Sequence, residues 1–113
     1  MELKIIKRLN GEISQKYEML KALKACGMET ECEELSKEIA KLEFERQAAQ
    51  VALTAKIHER VPETKEATIL IMRYVCCEKY SSIASKISMT DRHVYRLHAS
   101  GLKAFTAGGD EIV

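Results

Sequence analysis

A chain of 113 residues can bury one modest core and has no room for an enzyme built on two domains. With 46% hydrophobic and 31% charged residues the composition is that of a soluble protein, and no apolar run approaches the ~20 residues of a bilayer span. The formal net charge of +1 argues against a protein that coats nucleic acid through bulk charge, yet the charge is unevenly spread. Residues 1 to 61 hold eleven basic and eleven acidic side chains, whereas residues 79 to 103 hold five basic ones against Asp91 alone. The opening Met1-Glu-Leu-Lys4 alternates charged and apolar residues without the features of a secretory signal, so a cytoplasmic location and no membrane partner are expected. Neither Cys26 and Cys32 nor the adjacent Cys76 and Cys77 have metal-knuckle spacing, and all four read as small apolar fillers.

In chain order, Leu3, Ile6, Leu9, Ile13, Tyr17, Leu20 and Leu23 recur every three or four residues and draw one apolar stripe along a first helix. Gly27 suits the left-handed residue that closes it, and Thr30 with Glu33 reads as a capping box opening the next. A second stripe runs through Cys32, Leu35, Ile39, Leu42, Ala49, Leu53 and Ile57 on a helix from Thr30 to Arg60, about 46 Å long. The two helices are expected to form an antiparallel, coiled-coil-like hairpin. Lys16 and Arg46 break a strict heptad, and a hairpin alone buries little. Residues 1–61 are therefore expected to be a dimerisation unit, with Ile6, Leu9, Ile13, Leu20, Leu35, Ile39, Leu42 and Leu53 in the seam of a homodimer. Pro62 marks the boundary, since it pushes Val61 out of helical geometry and suits a helix start.

Beyond Pro62, over residues 62–113, the pattern predicts a helix near Glu63 to Tyr74, a short one near Ser81 to Ile87, one opening at Thr90, and a frayed tail from Ala107. The fold class is all-α. Ile83, Ala84 and Ile87 share a face of the short helix, and Ala84 is small enough for a second helix to cross close by. Thr90 caps that second helix, Asp91 complements its dipole, and Val94 and Leu97 point inward. This is a helix-turn-helix. Its outer face presents Asp91, Arg92, His93, Tyr95, Arg96 and Ser100, side chains suited to base edges and phosphates in a major groove. Tyr95 has a second option, packing its ring on the first helix. His93 and His98 lie about 140° apart around the helix, so they form no metal pair and read as surface or phosphate-facing residues. His58 stands alone on a charged helix. No nucleophile, base and orienting group occur together, and no Gly-rich phosphate loop is present, so neither catalysis nor a cofactor is expected.

Ile69-Leu-Ile-Met-Arg-Tyr74, Tyr80-Ser-Ser-Ile-Ala84 and Thr90-Asp-Arg-His-Val-Tyr-Arg-Leu-His98 follow one another as a supporting helix, a first motif helix and a recognition helix. In this order and spacing, with Leu102 and Phe105 beyond, the segment resembles region 4 of bacterial sigma factors. It is more similar still to small phage-encoded transcriptional regulators with a sigma-region-4-like domain. The resemblance covers about a third of the chain. It implies promoter contacts from Asp91, Arg92, Tyr95 and Arg96, in a charge order inverted relative to sigma factors, so that the preferred DNA sequence differs. Lys79, Ser82 and Lys86 on the first motif helix, Thr90 at the cap, and Lys103 complete the expected DNA-contacting set. The expected function is a sequence-specific, double-stranded-DNA-binding regulator of a phage or prophage operon acting as a dimer in a bacterial host. A small terminase-like packaging component, or a module that binds host RNA polymerase without touching DNA, is the alternative.

Overall fold

A computed structural model describes residues 3–107, and among these it is all-helical. Helix α1 (Ile5–Ala25) and helix α2 (Glu29–Arg60) pack along each other as a long antiparallel pair. The turn between them follows from Gly27, whose φ of 72° lies in the left-handed region. There the Met28 N–H reaches the Leu23 carbonyl and the Gly27 N–H the Lys24 carbonyl, the paired closure of a Schellman motif. The expected capping box does not form. Helix α2 starts one residue before Thr30, with Met28 in the cap position and no side-chain cap bond, and Glu29 and Glu31 face the positive helix end instead.

The apolar stripes meet inside the hairpin. Leu20, Leu35 and Ile39 form its distal cluster, with Leu23 and Cys32 against it. Polar ties flank the seam where the heptad fails: Arg46 donates to Asn10 Oδ1 at 3.0 Å, and Lys16 pairs with Glu38 at 3.5 Å. Seven of the eight residues expected in a dimer seam, Ile6, Leu9, Ile13, Leu20, Leu35, Ile39 and Leu53, are buried within the single chain, and Leu42 is half-buried. The stripe is thus consumed by closing the hairpin on itself, and any seam between copies has to use other residues.

Val61 is extended ahead of Pro62 as anticipated, but the next helix, α3 (Thr64–Leu70), begins two residues after the proline. It runs into a π turn over Ile71–Val75, closed by the Cys76 N–H on the Ile71 carbonyl at 3.0 Å. Helices α4 (Tyr80–Lys86) and α5 (Asp91–Ala107) follow. The tail expected to fray lies outside the described residues after Ala107, which is itself helical.

Pro62 marks a change of direction rather than a break in the core. Leu3, Ile6, Leu53 and Ile57 of the hairpin share one cluster with Ala67, Leu70, Val75 and Phe105. The base of the hairpin therefore supports α3 and α5. A second cluster, Ile69, Ile83, Ala84 and Val94, holds α4 and α5 together against the end of α3. Ala84 is 3% exposed there, as its expected place at the crossing requires. Ala84→Leu should overpack this contact and cost about 1 to 3 kcal/mol, read as a lower urea midpoint. A variant as stable as the parent would show that the crossing has slack.

One expectation about small residues is corrected in part. Cys26 and Cys76 are exposed, at the hairpin tip and just after the π turn, whereas Cys32 and Cys77 are half-buried and pack against the distal and basal clusters as small apolar fillers. Gly101, not singled out by its pattern, lies buried in α5 where an added Cβ would stand 3.3 Å from Leu70 Cγ, so it sets how closely α3 and α5 approach.

Candidate nucleic-acid interface

The turn between α4 and α5 is built from residues 87 to 90. Ser88 takes a φ of 56°, the left-handed geometry that glycine tolerates best, and the Met89 N–H returns to the Ala84 carbonyl at 2.9 Å. Thr90 then starts α5 as expected, its Oγ1 accepting from the His93 N–H at 3.2 Å. With the start fixed, the phase of α5 is fixed too. Val94, His98, Gly101 and Phe105 turn inward, and the opposite side is left to solvent.

On that solvent side Arg92, Arg96 and Lys103 lie within about 40° of one line along the helix, a span of about 16 Å. All three are exposed, as are Asp91, Ser100 and Thr90. His93 is half-buried, and its Nδ1 meets Arg96 Nη2 at 2.8 Å, which steadies the guanidinium. Thr90, Arg92, His93 and Arg96 together line a shallow groove at the start of α5. Tyr95 takes both of its options: it is 53% exposed, and its ring touches that of Tyr80 with centroids 4.5 Å apart. The Arg73 guanidinium lies over the other partner of this stack, 4.3 Å from the Tyr80 ring centroid.

On α4, Lys79 at the cap position is exposed and Ser82 half-buried. Lys86 is exposed but engaged, forming an ion pair with Glu78, so its charge is partly matched within the chain. The structure thus gathers Thr90, Arg92, His93, Tyr95 and Arg96 at one end of α5, leaves Ser100 and Lys103 further along it, and diverts Lys86 to Glu78.

His98 was expected at the surface and is buried instead. It is 9% exposed, at the i+4 position from Val94, on the face that α5 turns toward the core. Its Nε2 lies 2.8 Å from the Tyr74 hydroxyl and 3.4 Å from that of Tyr80, so the ring ties α5 to both the π turn and α4. Tyr74 and Tyr80 could not be paired with it from spacing alone, but its place on the Val94 face was a usable signal.

Burial, with the Arg73 charge as a lesser cause, pushes the His98 pKa below the usual 6.5. The unfolded chain therefore binds this proton first as pH falls. Stability is present above about pH 6.5 and is lost as pH drops toward the folded value. Urea unfolding should show a lower free energy at pH 5.5 than at pH 7.5, and His98→Gln should flatten that difference. An equal slope in both proteins would assign the effect to other groups.

Among the described residues no cluster of His, Cys, Asp and Glu could hold a metal ion, and no helix is long and apolar enough to cross a membrane. No protein-family model, curated protein or solved structure matches the chain.

Proposed function

We propose that the chain is a sequence-specific DNA-binding protein that lays α5 in the major groove, and that it acts as a small transcriptional regulator of the phage-encoded, sigma-region-4-like kind. The observation that carries this reading is the outer face of α5. Arg92, Arg96 and Lys103 line up there with Ser100 and His93, and Asp91 is the one carboxylate among the residues of that helix. Arginines in this position can reach the acceptor edge of guanine bidentately, while Thr90 and Lys79 at two helix starts suit flanking phosphates.

One motif of this size reads few base pairs, and regulators of this kind commonly pair two motifs about one DNA turn apart. The second copy is supplied by self-association of the hairpin. The seam is the outer face of α2, where Phe44 is 75% and Val51 68% exposed with Ala48, Ala52 and Ala55 exposed between and beyond them.

Selection of bound duplexes from a random pool tests the reading. Enrichment of a short motif in two inverted copies is expected. Failure of any sequence to enrich, with no gel shift at micromolar protein and about 100 mM salt, would remove it.

A further inference from the structure

We propose that the cleft between the start of α1 and the π turn binds a phosphate group, and that the DNA backbone supplies it, so that the hairpin extends the interface beyond α5. This rests on the reading of α5 as a DNA-binding helix.

The cleft has a volume of about 460 Å³ and is lined by Lys4 at the cap of α1, Lys7 within it, Arg73 of the π turn and Lys79 at the start of α4. Four cations from three separated segments thus face one space. Leu3, Asn10, Tyr74 and Cys77 make up the rest of the wall, with Asn10 Nδ2 donating to Cys77 Sγ at 3.5 Å, and among the described residues no carboxylate lines the cleft. Five cations elsewhere are matched. Lys16 pairs with Glu38, Lys21 with Glu18, Lys37 with Glu34, Arg46 with Glu43 and Lys86 with Glu78. Among the described residues Lys4, Lys7 and Lys79 have no such partner, and others, such as Lys24, Lys41 and Lys65, have no ion pair either. In a chain of net charge +1, gathering like charges without a counter-charge works against folding, and an anion entering the cleft relieves it.

Two features identify the anion as backbone phosphate. The first is continuity: Arg73 stacks on Tyr80, and Tyr80 touches Tyr95 on the outer side of α5, so one line of side chains runs from the cleft to the groove-facing helix. The second is Gly11, which with Lys4, Lys7, Arg8, Gln15 and one carboxylate, Glu12, lines an adjoining shallow groove along α1. A glycine inside a helix weakens it, and here no neighbour within the chain demands one, since an added Cβ would touch nothing. The bare backbone leaves room for a duplex strand to approach α1 closely.

The test uses the full chain, the duplex selected from a random pool, and fluorescence anisotropy at a series of salt concentrations. Each phosphate contact adds about 0.9 to the slope of log affinity against log salt. The double variant Lys4→Gln, Lys7→Gln should therefore have a slope shallower by about two, and should lose about tenfold less affinity than the parent between about 50 and 200 mM salt. Its preferred sequence should be unchanged. An unchanged slope in the double variant, with the parent still binding its site, would overturn the cleft as a phosphate site and leave the α5 reading standing. Absence of any DNA binding by the parent would remove both. In parallel, pyrophosphate is titrated while amide shifts of Lys4, Lys7, Asn10 and Cys77 are followed. Saturation by pyrophosphate together with an unchanged DNA slope would assign the cleft to a free anion and overturn the backbone as its source.

Discussion

Replacing Arg92 and Arg96 together by Ala is expected to lower affinity for the selected DNA site by at least about 2 kcal/mol, roughly thirtyfold. A single arginine that reads a base contributes about 1 to 3 kcal/mol of discrimination. The two effects should not simply add, because Arg92 and Arg96 are neighbours along one helix line and Arg96 is already steadied by His93. His93→Ala should therefore weaken binding less than Arg96→Ala and in the same direction. All three side chains lie outside the buried clusters, so circular dichroism and the urea midpoint should hardly change. That separation gives the measurement its force: a loss of affinity without a loss of fold places the chemistry on the outer face of α5. Unchanged affinity in the folded double variant would remove the groove-docking model. A uniform loss across all sequences, without a change in the preferred one, would make the two arginines phosphate contacts instead of base readers.

The sequence was informative wherever a local rule had no competitor. The apolar periods of α1 and α2, the left-handed Gly27 and the Thr90 cap were legible because each rests on backbone geometry or on one side chain's reach. Ala84 was legible because a close crossing leaves few residue types. The π turn was not: Ile71 to Val75 carries an ordinary helical pattern, and only the fold places Val75 in the cluster at the hairpin base. His98 was misplaced because a histidine reads as polar, although its position relative to Val94 put it inside.

The cationic cleft shows a different limit. Lys4 and Lys7 precede Arg73 and Lys79 by some seventy residues, and only the docking of α1 beside the π turn makes them neighbours. Charge counts along the chain located the excess in the C-terminal third and missed the contribution of α1 for that reason. The same limit governs the apolar stripes. Periodicity reports which side of a helix avoids water but not whether the cover comes from the same chain or another. For Ile6 through Leu53 the answer is the same chain.

Phe44→Lys is consequently expected to convert the protein from a dimer to a monomer, where substitutions along the inner stripe would only unfold it. Phe44 lies on the side of α2 away from α1, 75% exposed, and Val51 two turns later is 68% exposed. The alanines between and beyond them allow a second α2 to approach closely. A charge placed in such a seam is costly when buried and nearly free when exposed, so the variant separates association from folding. Sedimentation at micromolar concentration should give the parent twice its chain mass of 12.8 kDa and the variant 12.8 kDa, with the same helical content. Affinity for a two-copy site should fall by about a hundredfold, because the second motif loses its tether. A parent that sediments as a single species of 12.8 kDa would end the dimer model and the expectation of a symmetric site. A Phe44→Lys variant that remains dimeric would move the seam to another face, with Met19 of α1, 56% exposed, the next residue to change.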